Sequence, residues 1–221
     1  MTQSVRATDT GIAVFARAPE PGAAKTRLIP MLGAGGAATL QKLLIARTLA
    51  TAIAADVGTV KLWCSPSAQH PAMSALMRRH GIVGDTQCEG ELGDRMLDAA
   101  VRTLETSARV LLIGTDCPAL TAADLQSATA ALDNYDAVLI PAEDGGYVLL
   151  GLARPDPRLF SQVPWGSDQV MAITRVRLAE LNWRWRELAP LWDVDRPADV
   201  ERLQLSGLMP EFGACGVDIQ S

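Results

Sequence analysis

Two rhythms of apolar residues alternate along this chain. Short, nearly unbroken apolar runs occupy 12–16 (IAVFA), 59–64 and 109–113, with a weaker run at 82–88 and further runs at 136–141, 147–152 and 183–188. Such runs suit strands, and an unbroken run suits a strand buried on both faces. Between them lie stretches whose apolar residues recur every three or four positions, the helical period. Over 35–55 the set Leu40, Leu43, Leu44, Ala46 and Leu49 shares one side. Over 92–106 Met96, Ala100 and Leu104 repeat likewise. Helices are also expected over 68–80, from Thr121, over 167–181 and over 195–205.

Punctuation residues sharpen these bounds. Gly81 suits the left-handed position that ends a helix. Thr121 and Asp124 have capping-box spacing, with Asp in place of Glu. Ser167 stands where an N-cap belongs, and Pro197 with Asp199 suits a first helical turn. Strands separated by helices imply βαβ units and a mostly parallel sheet. Gly145-Gly146 joins two strands directly, which predicts one antiparallel pairing. The expected class is α/β, one domain over 11–207, with residues 1–10 disordered and 208–221 a tail without clear pattern.

The composition narrows the function classes. The chain has 221 residues, 48% hydrophobic and 20% charged, with net charge -5 and no Lys/Arg block. That argues against nucleic acid and anionic membranes as partners. No apolar run reads as a membrane span, and residues 1–10 do not read as a signal peptide. The four cysteines form no CxxC pair, which fits a reducing cytoplasm. His70 and His80 are expected to be solvated.

Chemistry concentrates at loops that follow strands. Asp116 ends the run from Arg109, and Pro118 stops the strand behind it. A carboxylate at the carboxyl end of a buried strand lies where open α/β sheets bind ligands. Cys117 beside it has no neighbour in sequence to activate it and reads as a packed residue. The loop after the first strand carries Ala18, Gly22, Lys25 and Arg27, an anion-binding composition or a solvated basic loop. Gly93 and Arg95 open the third helix, as an ordinary turn or as a second ligand loop. Glu143, Asp144, Gly145, Gly146 and Tyr147 form a tight turn that also presents acids. Trp165 can stack on a ligand or cover the core. Asp193 and Asp195 lie two residues apart, so in an extended segment they face one way; one can cap the following helix while the other reaches the site.

Together, FARAPEPG (15–22) with KTRL (25–28), GELGDRM (90–96), GTDCPAL (114–120), PAEDGGY (141–147) and DVDRPAD (193–199) resemble the bacterial DUF2064 group of GT-A-type glycosyltransferase-like proteins. That group is similar to nucleotidylyltransferases. The resemblance implies a three-layer α/β/α Rossmann-like GT-A fold of the nucleotide-diphospho-sugar transferases, with Mg²⁺ or Mn²⁺. It maps the family's basic loop onto Lys25 and Arg27 and its acidic metal position onto Asp116. The usual Asp-x-Asp is absent, since Pro118 stands at the third position, a pattern closer to nucleotidylyltransferases.

The expected site therefore has Asp116, Asp193 and Asp195 as metal ligands, and Asp144, Glu143 and Lys25 as catalytic groups. Ala18, Gly22, Lys25, Arg27, Gly93, Arg95, Gly145, Gly146, Tyr147 and Trp165 are expected at the nucleotide or substrate. The expected partners are a nucleotide sugar or NTP and a small-molecule acceptor, with a homodimer left open. Glycosyl transfer from a nucleotide sugar leads; nucleotidyl transfer to a phosphorylated small molecule, or nucleotide binding without turnover, are the alternatives.

Overall fold

A computed structural model describes residues 10–214. Seven strands form one sheet: β1 (Thr10–Arg17), β2 (Val60–Ser65), β3 (Val83–Thr86), β4 (Arg109–Ile113), β5 (Ala137–Pro141), β6 (Tyr147–Leu152) and β7 (Trp185–Glu187). Their order is β3-β2-β1-β4-β6-β5-β7. Every pairing is parallel except those of β6, which runs antiparallel to β4 and β5. The antiparallel strand is the one that follows Gly145-Gly146, as the turn predicts.

The unbroken apolar runs are explained by cover on both faces. Ile12, Val14, Leu111 and Ile113 point to one core, while Ala13, Val110 and Leu112 point to the other. Helices α1 (Ile29–Ala54), α2 (Pro71–His80) and α4 (Ala122–Ala131) cover the first face. Helices α3 (Leu92–Leu104) and α5 (Val170–Glu180) cover the second. Helices α6 (Pro197–Ser206) and α7 (Pro210–Ala214) pack Val200, Leu203 and Phe212 against Leu40 and Leu44 of α1. Leu111 is fully buried. Leu111→Ala is expected to lower stability by about 2–5 kcal/mol, read by urea denaturation, through lost transfer energy and the cavity left behind.

Several expected boundaries move. Helix α1 starts at Ile29, ahead of the expected 35, because a 3-10 turn at Thr26–Leu28 leads into it and Pro30 suits its first turn. Gly33 breaks the helix with φ 68 and ψ 166. Ser167 does not cap α5: the N-cap is Gln169, and the Ser167 hydroxyl accepts only from the Gln169 N–H at 3.3 Å. Thr10 belongs to the first strand and is buried. The rest of the segment expected to be disordered, residues 1–9, lies outside the described residues, as does Cys215. Helix α1 with its preceding turn is long and apolar enough to cross a bilayer, at mean hydropathy 1.4. Its buried Leu44, Ile45 and Leu49 instead form part of the core.

Candidate active site at the carboxyl edge of the sheet

Strand pairing opens the cleft. β1 and β4 run in register from Thr10↔Arg109 to Val14↔Ile113 and then part. β1 continues along β2 through Arg17↔Ser65. Beyond Ile113 the chain turns through Gly114, Thr115 and Asp116. This is the point where strand order reverses, the place at which open α/β sheets receive ligands.

Asp116 sits at its mouth, with its side chain 49% exposed. The Lys25 ammonium lies 2.8 Å from it, on a side chain only 4% exposed. The same ammonium donates to the Val194 carbonyl at 2.5 Å. Val194 in turn donates its N–H to the Asp116 carbonyl at 2.8 Å. Three distant segments are thus tied at one point. Lys25 adopts left-handed backbone, φ 48 and ψ 47, although it is not glycine. Such strain is held only where surrounding contacts over-determine it, and it clusters at functional sites.

Asp193, one residue before this knot, is the most perturbed acid. Burial, then the Asp144 and Asp116 carboxylates, push its pKa from the ordinary 3.8 to about 6. Asp195 goes elsewhere, to an ion pair with Arg27. Nor does Asp195 cap α6: Arg196 is the N-cap, and the Asp199 carboxylate accepts from the N–H groups of Asp195 and Arg196 at 3.0 and 2.7 Å. So the structure places Asp193 beside Asp116 and gives Asp195 to Arg27.

The turn after β5 supplies the third acid. Asp144 accepts from the Gly146 N–H at 2.9 Å, which leaves its other oxygen open. Gly145 has φ 95, and a Cβ there would lie 2.3 Å from the Asp168 carbonyl oxygen. Only glycine meets both demands. Glu143 is held by Arg202 at 2.7 and 3.1 Å, which keeps its carboxyl below the usual range. Arg202 also stacks over Trp192 at 4.5 Å, fastening α6 to the turn.

Two adjoining chambers flank these acids. One, of about 310 Å³, lies between α3 and α5 and is walled by Phe15, Met96, Tyr147, Trp165 and Val170, with Asp116, Asp144 and Asp193 on its rim. The other, of about 450 Å³, is polar and takes in Arg27, Glu143, Asp195 and Arg196. Asp144 and Asp193 border both. Tyr147 and Trp165 meet edge-on at 6.4 Å. Gly146 also lines the first chamber.

The remaining expected residues are placed as follows. Ala18 is buried, its N–H donating to the Ser65 carbonyl at 2.7 Å, so it anchors the first loop. Gly22 is exposed with φ 84 and open space around it. Gly93 packs α3 against the loop before α5, where a Cβ would lie 2.8 Å from Trp165 Nε1. Arg95 holds the Gly90 carbonyl at 3.0 Å and lines neither chamber. His70, expected to be solvated, accepts the Ala72 N–H through Nδ1 at 3.2 Å as the cap of α2. Its Nε2 lies 2.9 Å from Glu20 of the first loop. Burial pushes the Cys117 thiol up to about 12, which fits a packed residue. Sequence reasoning missed Phe15, Met96 and Val170 as chamber walls, and the Val194 carbonyl as the lysine's second anchor. Met96 carried the right helical spacing, but spacing alone does not separate a core face from a pocket wall.

The donor chemistry fits a hard divalent cation. Asp116, Asp144 and Asp193 offer only oxygens, with the Lys25 ammonium at Asp116, and the Asp193 pKa is raised first by burial and then by the two neighbouring carboxylates. Among the described residues no three acids, histidines or cysteines converge as a ready cage. Mg²⁺ is ordinarily held by one or two carboxylates, with substrate phosphates and water completing the shell.

The family model described as an uncharacterized protein conserved in bacteria, DUF2064, matches residues 48–167, more than half of the chain. The chain belongs to the DUF2064 family. Comparison with curated proteins finds no match. Among solved structures, this DUF2064 protein is similar to one assigned as a nucleotide-diphospho-sugar transferase from Desulfovibrio desulfuricans G20, with 26% identity, 93% and 95% of the two chains covered and TM-score 0.83. It also resembles a CMP:2-keto-3-deoxy-manno-octonic acid synthetase complexed with CTP, at 14% identity, 92% and 99% coverage and TM-score 0.59. A Mycobacterium tuberculosis H37Rv protein complexed with manganese matches at 20% identity, 90% and 99% coverage and TM-score 0.51. The fold of this DUF2064 member is thus the α/β fold of nucleotide-diphospho-sugar and nucleotidyl transferases.

Proposed function

We propose that this DUF2064 protein is a metal-dependent transferase that moves a glycosyl group from a nucleotide sugar to a small-molecule acceptor. The observation that carries this reading is the charge pattern at the strand-order reversal: three carboxylates against one nearly buried ammonium. Such a site wants a cation together with an anionic ligand. The Desulfovibrio desulfuricans G20 structure, named for nucleotide-diphospho-sugar transfer, supports it.

Asp116 and Asp193 would hold the cation, which when bound would neutralise charge on the donor's diphosphate. Lys25 is positioned to exchange part of its contact with Asp116 for a phosphate oxygen, and its Val194 anchor keeps it in place. Arg27, exposed beside Asp195, adds a second cation on the same side. Asp144 has an open carboxylate oxygen and borders both chambers, so it suits the acceptor's proton; Glu143 is occupied by Arg202. The acceptor oxygen bonds to the anomeric carbon as the bond from that carbon to the diphosphate oxygen breaks. The electron pair leaves with the nucleoside diphosphate, and the acceptor's proton passes to Asp144.

Nucleotidyl transfer is the second reading, favoured by Pro118 in place of a second Asp and by the CTP-bound relative. A reducing cytoplasm suits either reading, since Cys64, Cys88 and Cys117 are free thiols. Thermal-shift measurements with UDP-glucose, GDP-mannose and the four NTPs, each with and without Mn²⁺, separate the two. A metal-dependent rise of roughly 5–10 °C at a hundredfold excess over Kd is expected with a nucleotide sugar. The same rise with an NTP, accompanied by pyrophosphate release, establishes the second reading. No metal-dependent shift with any of them removes both.

A further inference from the structure

The chamber between α3 and α5 carries chemistry that the charge pattern at Asp116 does not explain. Its walls are apolar: Phe15, Met96, Trp165 and Val170, with Tyr147 among them. Among the described residues no Lys, Arg or His lines it. Lys25 and Arg27, the cations of the site, belong to the loop that leads into α1 and meet the acids from outside the chamber, Lys25 at Asp116 and Arg27 at Asp195. The charged groups at the chamber are carboxylates, Asp116, Asp144 and Asp193, and among the described residues Asp116 alone of the three is in an ion pair, with Lys25.

We propose that this chamber is the acceptor site and that it selects an uncharged alcohol with an apolar ring or short chain over a phosphorylated or carboxylated acceptor. This rests on the transferase reading and names its second substrate class. An anionic acceptor would have to shed its water among apolar walls and then meet Asp144, which neither Lys25 nor the proposed cation on Asp116 and Asp193 holds. An alcohol meets neither cost. Its apolar body gains the Trp165 and Tyr147 ring faces and edges, which stand at 89° to one another. Among the described residues the Tyr147 hydroxyl has only the Met96 thioether as partner, at 3.9 Å, a weak acceptor that a ligand oxygen would displace. At the rim the alcohol's hydroxyl reaches the open oxygen of Asp144, where its proton leaves during transfer. A volume of about 310 Å³ stands at the small end of ligand pockets, room for one ring or a short chain.

Tryptophan fluorescence tests this on the full chain in Mn²⁺ buffer, because Trp165 forms a wall. The probes are 3-phenyl-1-propanol and its phosphate ester, which share a body and differ in charge. Saturable quenching by the alcohol, with Kd at least tenfold lower than for the phosphate ester, is expected. Val170→Glu is expected to weaken the alcohol tenfold or more. Because Val170 is buried and its variant can misfold, Trp165→Ala, on a loop, is measured beside it by isothermal titration and is expected to show the same loss. Binding of the nucleotide that stabilises the wild type is followed in each protein and is expected to persist. Tighter binding of the phosphate ester, or alcohol binding that neither variant weakens, overturns the acceptor assignment while nucleotide binding stands. No saturable alcohol binding in a wild type that binds nucleotide also overturns it. A wild type that binds no nucleotide overturns the transferase reading itself, and the acceptor role with it.

Discussion

Asp116→Asn is expected to lower turnover by roughly 10²–10³-fold, the usual loss when one preorganised charge is removed from a reacting centre. Metal-dependent nucleotide affinity should fall with it, measured by isothermal titration with Mn²⁺ present. The amide keeps the shape of the carboxylate and still accepts from Lys25, so the 2.8 Å contact can persist. Lys25 also retains the Val194 carbonyl. With Asp116 half exposed, the stability change should stay within about 1–2 kcal/mol. Unchanged metal affinity in a folded Asp116→Asn protein would refute the assignment of the cation to this edge of the sheet.

Asp193→Asn should act in opposite directions on stability and on function. The folded pKa of Asp193 is raised, to about 6 from 3.8, by burial and by its acidic neighbours. The fold therefore favours the protonated form, and the wild type binds more protons folded than unfolded between those values. This contribution is full below the unfolded pKa and is lost as pH rises through about 6. At pH 7.5 the metal-free wild type carries the whole penalty, and at pH 5 only about half of it. Asp193→Asn should thus raise the Tm of the metal-free protein at pH 7.5 by more than at pH 5. The same change should weaken Mn²⁺-nucleotide binding at pH 7.5, because a charged ligand is gone. An equal Tm change at both pH values, or a drop at pH 7.5, contradicts the crowding of carboxylates around Asp193. The pair of variants separates the two acids: Asp116 carries charge that Lys25 already balances, whereas Asp193 carries charge that the fold alone does not.

The parts of the site differ in how far they could be read from residue order. Asp116 was legible because a charge shortly after a buried apolar strand, with Pro118 behind it, breaks the local pattern. Gly145-Gly146 was legible because two glycines after an acid fit a tight turn, and the antiparallel β6 confirms it. The capping box at Thr121 and Asp124 is present as its spacing implies. Ser167 misled: its hydroxyl does satisfy a backbone N–H, but three residues ahead of the helix rather than at its first turn. Asp193 and Asp195 were equivalent on sequence, since both lie on one side of an extended segment.

What the sequence by itself determined is local. Apolar period placed the strands and helices, and the charge at the end of β4 located the cleft, because these signals act over a few residues of backbone. What only the tertiary structure decided is company. Val194 bonding to the Asp116 carbonyl brings Asp193 to Asp116, and Arg27 draws Asp195 away. The packing of α3 against the Trp165 loop opens the apolar chamber. Lys25 and Val194 stand 169 positions apart in sequence. No local propensity records such a pairing; it exists only once α6 packs on α1 and carries the last acidic segment back to the sheet edge.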